Sequence, residues 1–160
     1  MNPQIKITVR DFGTMTAELY PDKAPATVEN FLKLIDEDFF SGLIFHRVIS
    51  GFMIQGGGYT EDFAQKHTAS IKGEFASNGF AQNDIKHTRG VLSMARSMHP
   101  DSAGSQFFIM VGAAPHLDGE YAAFGLVTDG LEVIDAIADL PTDYQDCPRV
   151  NVVIEKIERI

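Results

Sequence analysis

The chain has no tryptophan and a single cysteine, Cys147, among its 160 residues. One cysteine excludes an internal disulfide and fits a reducing compartment, which makes a cytoplasmic location the expectation. It stands in "DCPR", a turn-like setting in which a lone thiol reads as a bystander. Basic charge is scarce as well, with Lys+Arg 13 against Asp+Glu 22 and a formal net charge of −9. The cations are scattered singly, so no basic patch offsets that field, and binding to nucleic acid or an anionic membrane is not expected. No apolar run reaches membrane-spanning length, and the opening "MNPQIKITVRD" lacks the basic-then-apolar order of a secretion signal. The histidines, at 46, 67, 87, 99 and 116, form no close pair, so no metal and no cofactor is expected. "GGGYT" at 56–60 lacks the GK[ST] ending of a phosphate loop, and its glycines read as a backbone turn at a strand end. With no repeat, linker or low-complexity tract, a single domain over residues 1–160 is expected.

What is present is pattern. Ile5, Ile7 and Val9 alternate with Lys6, Thr8 and Arg10, and after "DFG" Met15, Ala17 and Leu19 alternate with Thr14, Thr16 and Glu18. Period two on both sides of a turn predicts a hairpin. Val28, Phe31, Leu32, Ile35 and Phe39 follow Pro25 at helical spacing and predict a helix from about 25 to 37. Leu131, Ile134, Ile137 and Ala138 predict a second helix between Gly130 and Pro141. Between them lie the short strand-like runs "LIFHRVI", "FMIQG", "GVLSMA", "SQFFIMVG" and "AAFGLVT", and the chain closes on "RVNVVIEKIERI", whose alternation slips near Val152–Val153. About eight strands and two helices predict a mainly β protein, a closed eight-stranded antiparallel β-barrel capped by two α-helices. The polar, aperiodic stretch from Thr60 to Arg89 is too long for a turn and is expected to be an ordered excursion with a functional task.

Several of these strands mix hydrogen-bonding and large apolar side chains on one face. Arg47 and Gln55 interrupt the otherwise buriable "FHRVISGFMIQGG" at residues 45–57. Met53 shares a strand face with Gln55, as Gln106 does with Phe108 and Met110. A polar group buried without a partner costs kilocalories, so an apolar hollow with a few placed donors points to a small-ligand site. His46 reads as a satisfied near-core histidine, and Asp118–Gly119 as a turn with no further task.

Four segments carry a resemblance in order along the chain: "FHRVISGFMIQGG", "GVLSMARS", "SQFFIM" and "HLDGEYAAFG". They resemble successive signature segments of the cyclophilins, peptidyl-prolyl cis–trans isomerases, and the likeness is to single-domain bacterial cytosolic members. The resemblance implies the same capped barrel and an enzyme that turns Xaa-Pro bonds in protein folding. It makes Arg47 the catalytic arginine and implies that Phe52, Met53, Phe108 and Leu117 form the proline pocket. It further implies that Gln55 and Gln106 bond the substrate backbone, and that Ala95, Arg96 and Ser97 form the edge along which the peptide lies. His116 and Tyr121 complete the implied substrate site at positions where the chain departs from common family residues. Many members carry tryptophan in place of His116, a residue that helps bind the inhibitor cyclosporin, so cyclosporin sensitivity does not carry over. Tyr121 replaces a common histidine, and Arg96 a common asparagine, with a preference for acidic residues beside the proline as the hypothesis. The partners implied are proline-containing peptides and unfolded or partly folded proteins, met as a monomer. A binding or chaperone-like module without turnover is the alternative, and the presence of Arg47 favours the enzyme.

Overall fold

A computed structural model describes residues 2–160. The opening hairpin is β1 (Gln4–Val9) and β2 (Gly13–Leu19), with Ile5, Ile7, Val9, Met15, Ala17 and Leu19 all facing the interior. Then come α1 (Pro25–Asp36), β3 (Arg47–Ile49), β4 (Met53–Gly56), β5 (Val91–Met94) and β6 (Phe107–Met110). β7 (Ala123–Asp129), α2 (Leu131–Ala138) and β8 (Ile154–Arg159) complete the elements. Every strand pairing is antiparallel, in the order β3-β4-β6-β5-β7-β2-β1-β8.

The sheet curls around its core without closing into a continuous barrel, which corrects the sequence expectation. β3 and β8 are its edges, and no ladder joins them. Leu43, Ile44 and Phe45 are buried in succession, which a strand with one solvated face does not allow. The predicted strand over 43–49 therefore shrinks to Arg47–Ile49. Irregular backbone bonds span the gap instead: Gly42 N–H to Ile154 C=O at 2.8 Å, Ile154 N–H to Leu43 C=O at 2.8 Å, and Phe45 N–H to Val152 C=O at 3.0 Å. The slip foreseen near Val152–Val153 has the same origin. Val152, Val153 and Ile154 are all buried, and the regular ladder to β1 skips Glu155 in a bulge.

α1 has no local side-chain cap. Its orphan amides are met from far along the chain. The buried Glu74 carboxylate accepts from Thr27 N–H (2.7 Å), Ala26 N–H (3.2 Å) and the Thr27 hydroxyl (2.7 Å), where a negative charge also suits the helix dipole. The helix lays Phe31 on Phe40, Phe107 and Phe124, with ring centroids 5.0, 5.3 and 4.9 Å away. This aromatic cluster is the centre of the interior core. Among the described residues, no helix is long and apolar enough to cross a membrane.

Candidate active site

Register decides which side chains meet outside this core. Val48, Ile54, Ile109 and Leu92 stand side by side across β3, β4, β6 and β5, and all face inward. One residue along, Arg47, Gln55, Phe108 and Ser93 form the neighbouring row and face outward. A further row brings Ile49, Met53 and Met110 together on the same outer face. The outer face is covered from outside by Ala114, Leu117 and Tyr121 from the loop after β6, and by Phe52 from the turn before β4. Together these make a second, smaller apolar cluster, separate from the interior. The paired phenylalanines of β6 divide between the two: Phe107 belongs to the inner core and Phe108 to the outer cluster.

A cavity of about 140 Å³ opens in this outer cluster. Phe52, Met53, Phe108 and Leu117 supply apolar walls, Tyr121 and Ala95 the rim, and Arg47, Gln55 and Arg96 the hydrogen-bonding groups. Arg47 is exposed, and its Nη1 lies 3.5 Å from Gln55 Oε1, a long contact that leaves the guanidinium accessible. Gln55 Nε2 in turn donates to Gln106 Oε1 at 3.0 Å, so the two amides are oriented as a pair. Tyr121 meets Phe108 edge-on at 5.7 Å, and His116 stands outside the lining of this hollow, stacked on Phe52 at 5.9 Å. Beside this hollow lies a polar one of about 340 Å³, sharing Gln55, Ala95 and Arg96 with it. Gln106, Ser97 and the stretch Gln65–Thr68 of the long excursion line it. Past the end of β5, Ala95 N–H is engaged by Gln106 C=O at 3.0 Å and Ser97 N–H by Ser102 Oγ at 2.9 Å.

Three residues behind the apolar hollow escaped the sequence reading. His87 is buried against Phe108, their rings stacked at 6.0 Å. Its Nε2 is 2.8 Å from the buried Ser93 hydroxyl, its Nδ1 is 3.2 Å from Asp118 Oδ1, and its N–H donates to the same oxygen. Burial lowers the His87 pKa against the opposing pull of Asp118. Asp118 thus does more than form a turn. Nothing local marks this trio, because its members are brought together only by the meeting of three segments. His46 is likewise not the satisfied histidine expected: its Nδ1 is buried without a hydrogen-bond partner while the ring packs on Tyr59 at 4.6 Å. Among the described residues no group of three or more His, Cys, Asp or Glu gathers to hold a metal ion.

Comparisons with known proteins show the family and the fold. The family model described as cyclophilin type peptidyl-prolyl cis-trans isomerase/CLD matches residues 4–159. A peptidyl-prolyl cis-trans isomerase of Acinetobacter baylyi is 44% identical over 158 residues, covering 92% of this chain and 81% of its own length. Peptidyl-prolyl cis-trans isomerase B of Escherichia coli is 43% identical, covering 91% of this chain and 93% of its own. Among solved structures, a cyclophilin type isomerase of Cryptosporidium parvum superposes with a TM-score of 0.85 at 29% identity, over 100% of this chain and 98% of that one. The same protein crystallised in the presence of the dipeptide Ala-Pro superposes at 0.83 with 30% identity, over 98% of each chain.

Proposed function

The chain belongs to the cyclophilin-type peptidyl-prolyl cis–trans isomerases, and from that premise we propose that Arg47 is its catalytic residue and the 140 Å³ hollow its proline pocket. The activity is rotation about Xaa-Pro peptide bonds. Amide resonance sets a barrier of roughly 18–20 kcal/mol to that rotation, and an uncatalysed prolyl bond turns in tens of seconds or more. As the bond twists, resonance is lost and the prolyl nitrogen gains a lone pair able to accept a hydrogen bond. A guanidinium aimed at that nitrogen binds the twisted state better than either planar isomer, which is the requirement for catalysis. Arginine suits the task because it stays cationic and offers a rigid fork of donors.

The observation that carries the reading is the outward row of Arg47, Gln55 and Phe108. It sets one accessible cation and one amide donor at the mouth of an apolar hollow with Phe52, Met53 and Leu117 as its other walls. The ring would be held there while the chain before it turns, with Gln55 and Gln106 bonding the substrate backbone and Ala95, Arg96 and Ser97 flanking it. His116 and Tyr121 would bound the rim. The Ala-Pro dipeptide used with the Cryptosporidium protein supports proline-containing peptides as substrates here. Unfolded or partly folded chains are the clients we propose, met by a monomer. The lone Cys147 supports the cytoplasm as the place of action.

Exchange NMR on a short Xaa-Pro peptide, comparing the protein with Arg47→Ala, is the test. The protein should accelerate exchange strongly, and the folded variant should lose about a hundredfold or more of the rate. Peptide binding without acceleration by the parent protein would leave a binding module in place of the enzyme.

A further inference from the structure

The wall shared by the two cavities, Gln55, Ala95 and Arg96, departs in charge from the rest of the molecule. The chain carries Asp+Glu 22 against Lys+Arg 13, yet no aspartate or glutamate lines either cavity. Arg96 stands at their junction, held by two rings and two backbone carbonyls. Its guanidinium lies 4.8 Å from the Phe75 ring centroid and 4.6 Å from that of Tyr121. Nε and Nη2 donate to Glu120 C=O at 3.2 and 2.6 Å, and Nη1 donates to Ser97 C=O at 3.0 Å. These acceptors are neutral. They hold the group in place without cancelling its charge, and they leave part of its donor fork open.

The side chains of Glu120, whose backbone Arg96 binds, and of Asp101, further along the loop of Arg96, are engaged elsewhere. Glu120 Oε2 accepts from the Ser77 hydroxyl at 2.8 Å, and Asp101 Oδ1 accepts from Gly73 N–H and the Asn78 amide at 2.9 Å each. Among the described residues Arg96 takes part in no ion pair. The other lysine or arginine of the polar cavity, Lys66, points its Nζ away, onto Phe39 C=O at 2.7 Å and over the Phe39 ring.

From this the geometry points to Arg96 as a specificity determinant that selects substrates carrying an aspartate or glutamate within a few residues of the isomerised proline. The inference rests on the isomerase reading above. With the proline ring in the apolar hollow, a neighbouring substrate carboxylate enters the polar one and meets the open edge of the Arg96 fork in a charge-assisted bond. The guanidinium is already ordered between two rings, so little conformational freedom is lost on binding. With no lining carboxylate to compete, the attraction is opposed mainly by solvent and salt.

The test is exchange NMR with short peptides carrying Glu or Gln at each of three positions on either side of the proline, at about 20 and about 500 mM salt. Each enzyme variant is scored by its own Glu-to-Gln ratio of kcat/KM, so a general loss of activity does not enter. At one position the ratio should be about three- to tenfold at low salt and approach one at high salt. Arg96→Gln should bring it to about one at both salts, and Arg96→Lys, which keeps charge but not the fork, should fall between. A ratio of one at every position, or one that survives in Arg96→Gln, overturns the proposal; survival would assign the selection to Arg47. If no peptide is accelerated, the isomerase reading fails instead, and chemical-shift titrations with the same peptides still decide whether Arg96 prefers Glu over Gln.

Discussion

Arg47 and His46 are neighbours in the chain with opposite surroundings. The arginine reaches solvent, while the histidine ring is half-buried against Tyr59, its Nδ1 without a partner. Burial, and then the adjacent Arg47 charge, push the His46 pKa from 6.5 to about 4. His87 is lowered in the same direction, mainly by burial. A histidine whose pKa is depressed by folding favours the neutral ring in the native state. Its contribution to stability is complete above the unfolded value of about 6.5 and is lost as pH falls towards the folded value. The melting temperature should therefore decline between pH 6.5 and about pH 4, the interval between the unfolded and folded values of His46. The decline should be shallower in His46→Gln, and the ring of His46 should titrate by NMR with a midpoint near 4 in the folded protein. A His46 midpoint near its free value would remove this residue from the acid sensitivity.

The glycine run at the end of β4 separates stability from function. A Cβ on Gly56 would sit 2.7 Å from Ile44 C=O and 2.9 Å from Phe45 Cδ1, so backbone in the gap-bridging segment would have to move. Gly57, with φ at +88°, turns the chain as its residue type suggests. Gly58 has a different task. A Cβ there would meet the Gln106 side chain, 2.6 Å from both Cδ and Nε2, and displace the amide that Gln55 bonds. Gly56→Ala should cost about 1–3 kcal/mol in urea unfolding. Gly58→Ala should lower kcat/KM by about tenfold with a much smaller loss of stability, because a flexible side chain yields where a backbone does not. Equal damage by both substitutions to both quantities would refute this division.

For the molecule as a whole, stability comes from the interior rather than from its charged fastenings. Arg89 grips Asp135 of α2 through two bonds of 2.7 Å, and Arg159 of β8 grips Asp36 of α1 at 2.9 and 2.6 Å. Both pairs are roughly half exposed, so solvent and salt screen them. Asp135→Asn should cost at most about 1 kcal/mol. Phe31→Ala, which empties the centre of the aromatic cluster on which α1 rests, should cost about 3–5 kcal/mol. Urea unfolding of the two variants measures the contrast, and a larger loss for Asp135→Asn would contradict it.

Residue order alone determined much of this molecule, wherever the information is periodic. Alternation assigned the hairpin and its buried residues, helical spacing placed α1 and α2, and period two put Met53 with Gln55 and Gln106 with Phe108. The segments around Arg47, Ser93, Phe108 and Tyr121 carried the family likeness, and with it the candidate site. Period two could divide Phe107 from Phe108 but not say which of them faced the core; the cover laid over the outer face decided that. Packing also decided the edge of the sheet, where Leu43, Ile44 and Phe45 leave alternation because all three are enclosed. Glu74 caps a helix that begins 49 positions earlier, counting from Pro25. His87, Ser93 and Asp118 support Phe108 from three separate segments, and Gly58 makes room for Gln106 from the bend after β4. Local pattern records how a residue relates to its near neighbours, whereas these partners are chosen by the close packing of distant ones.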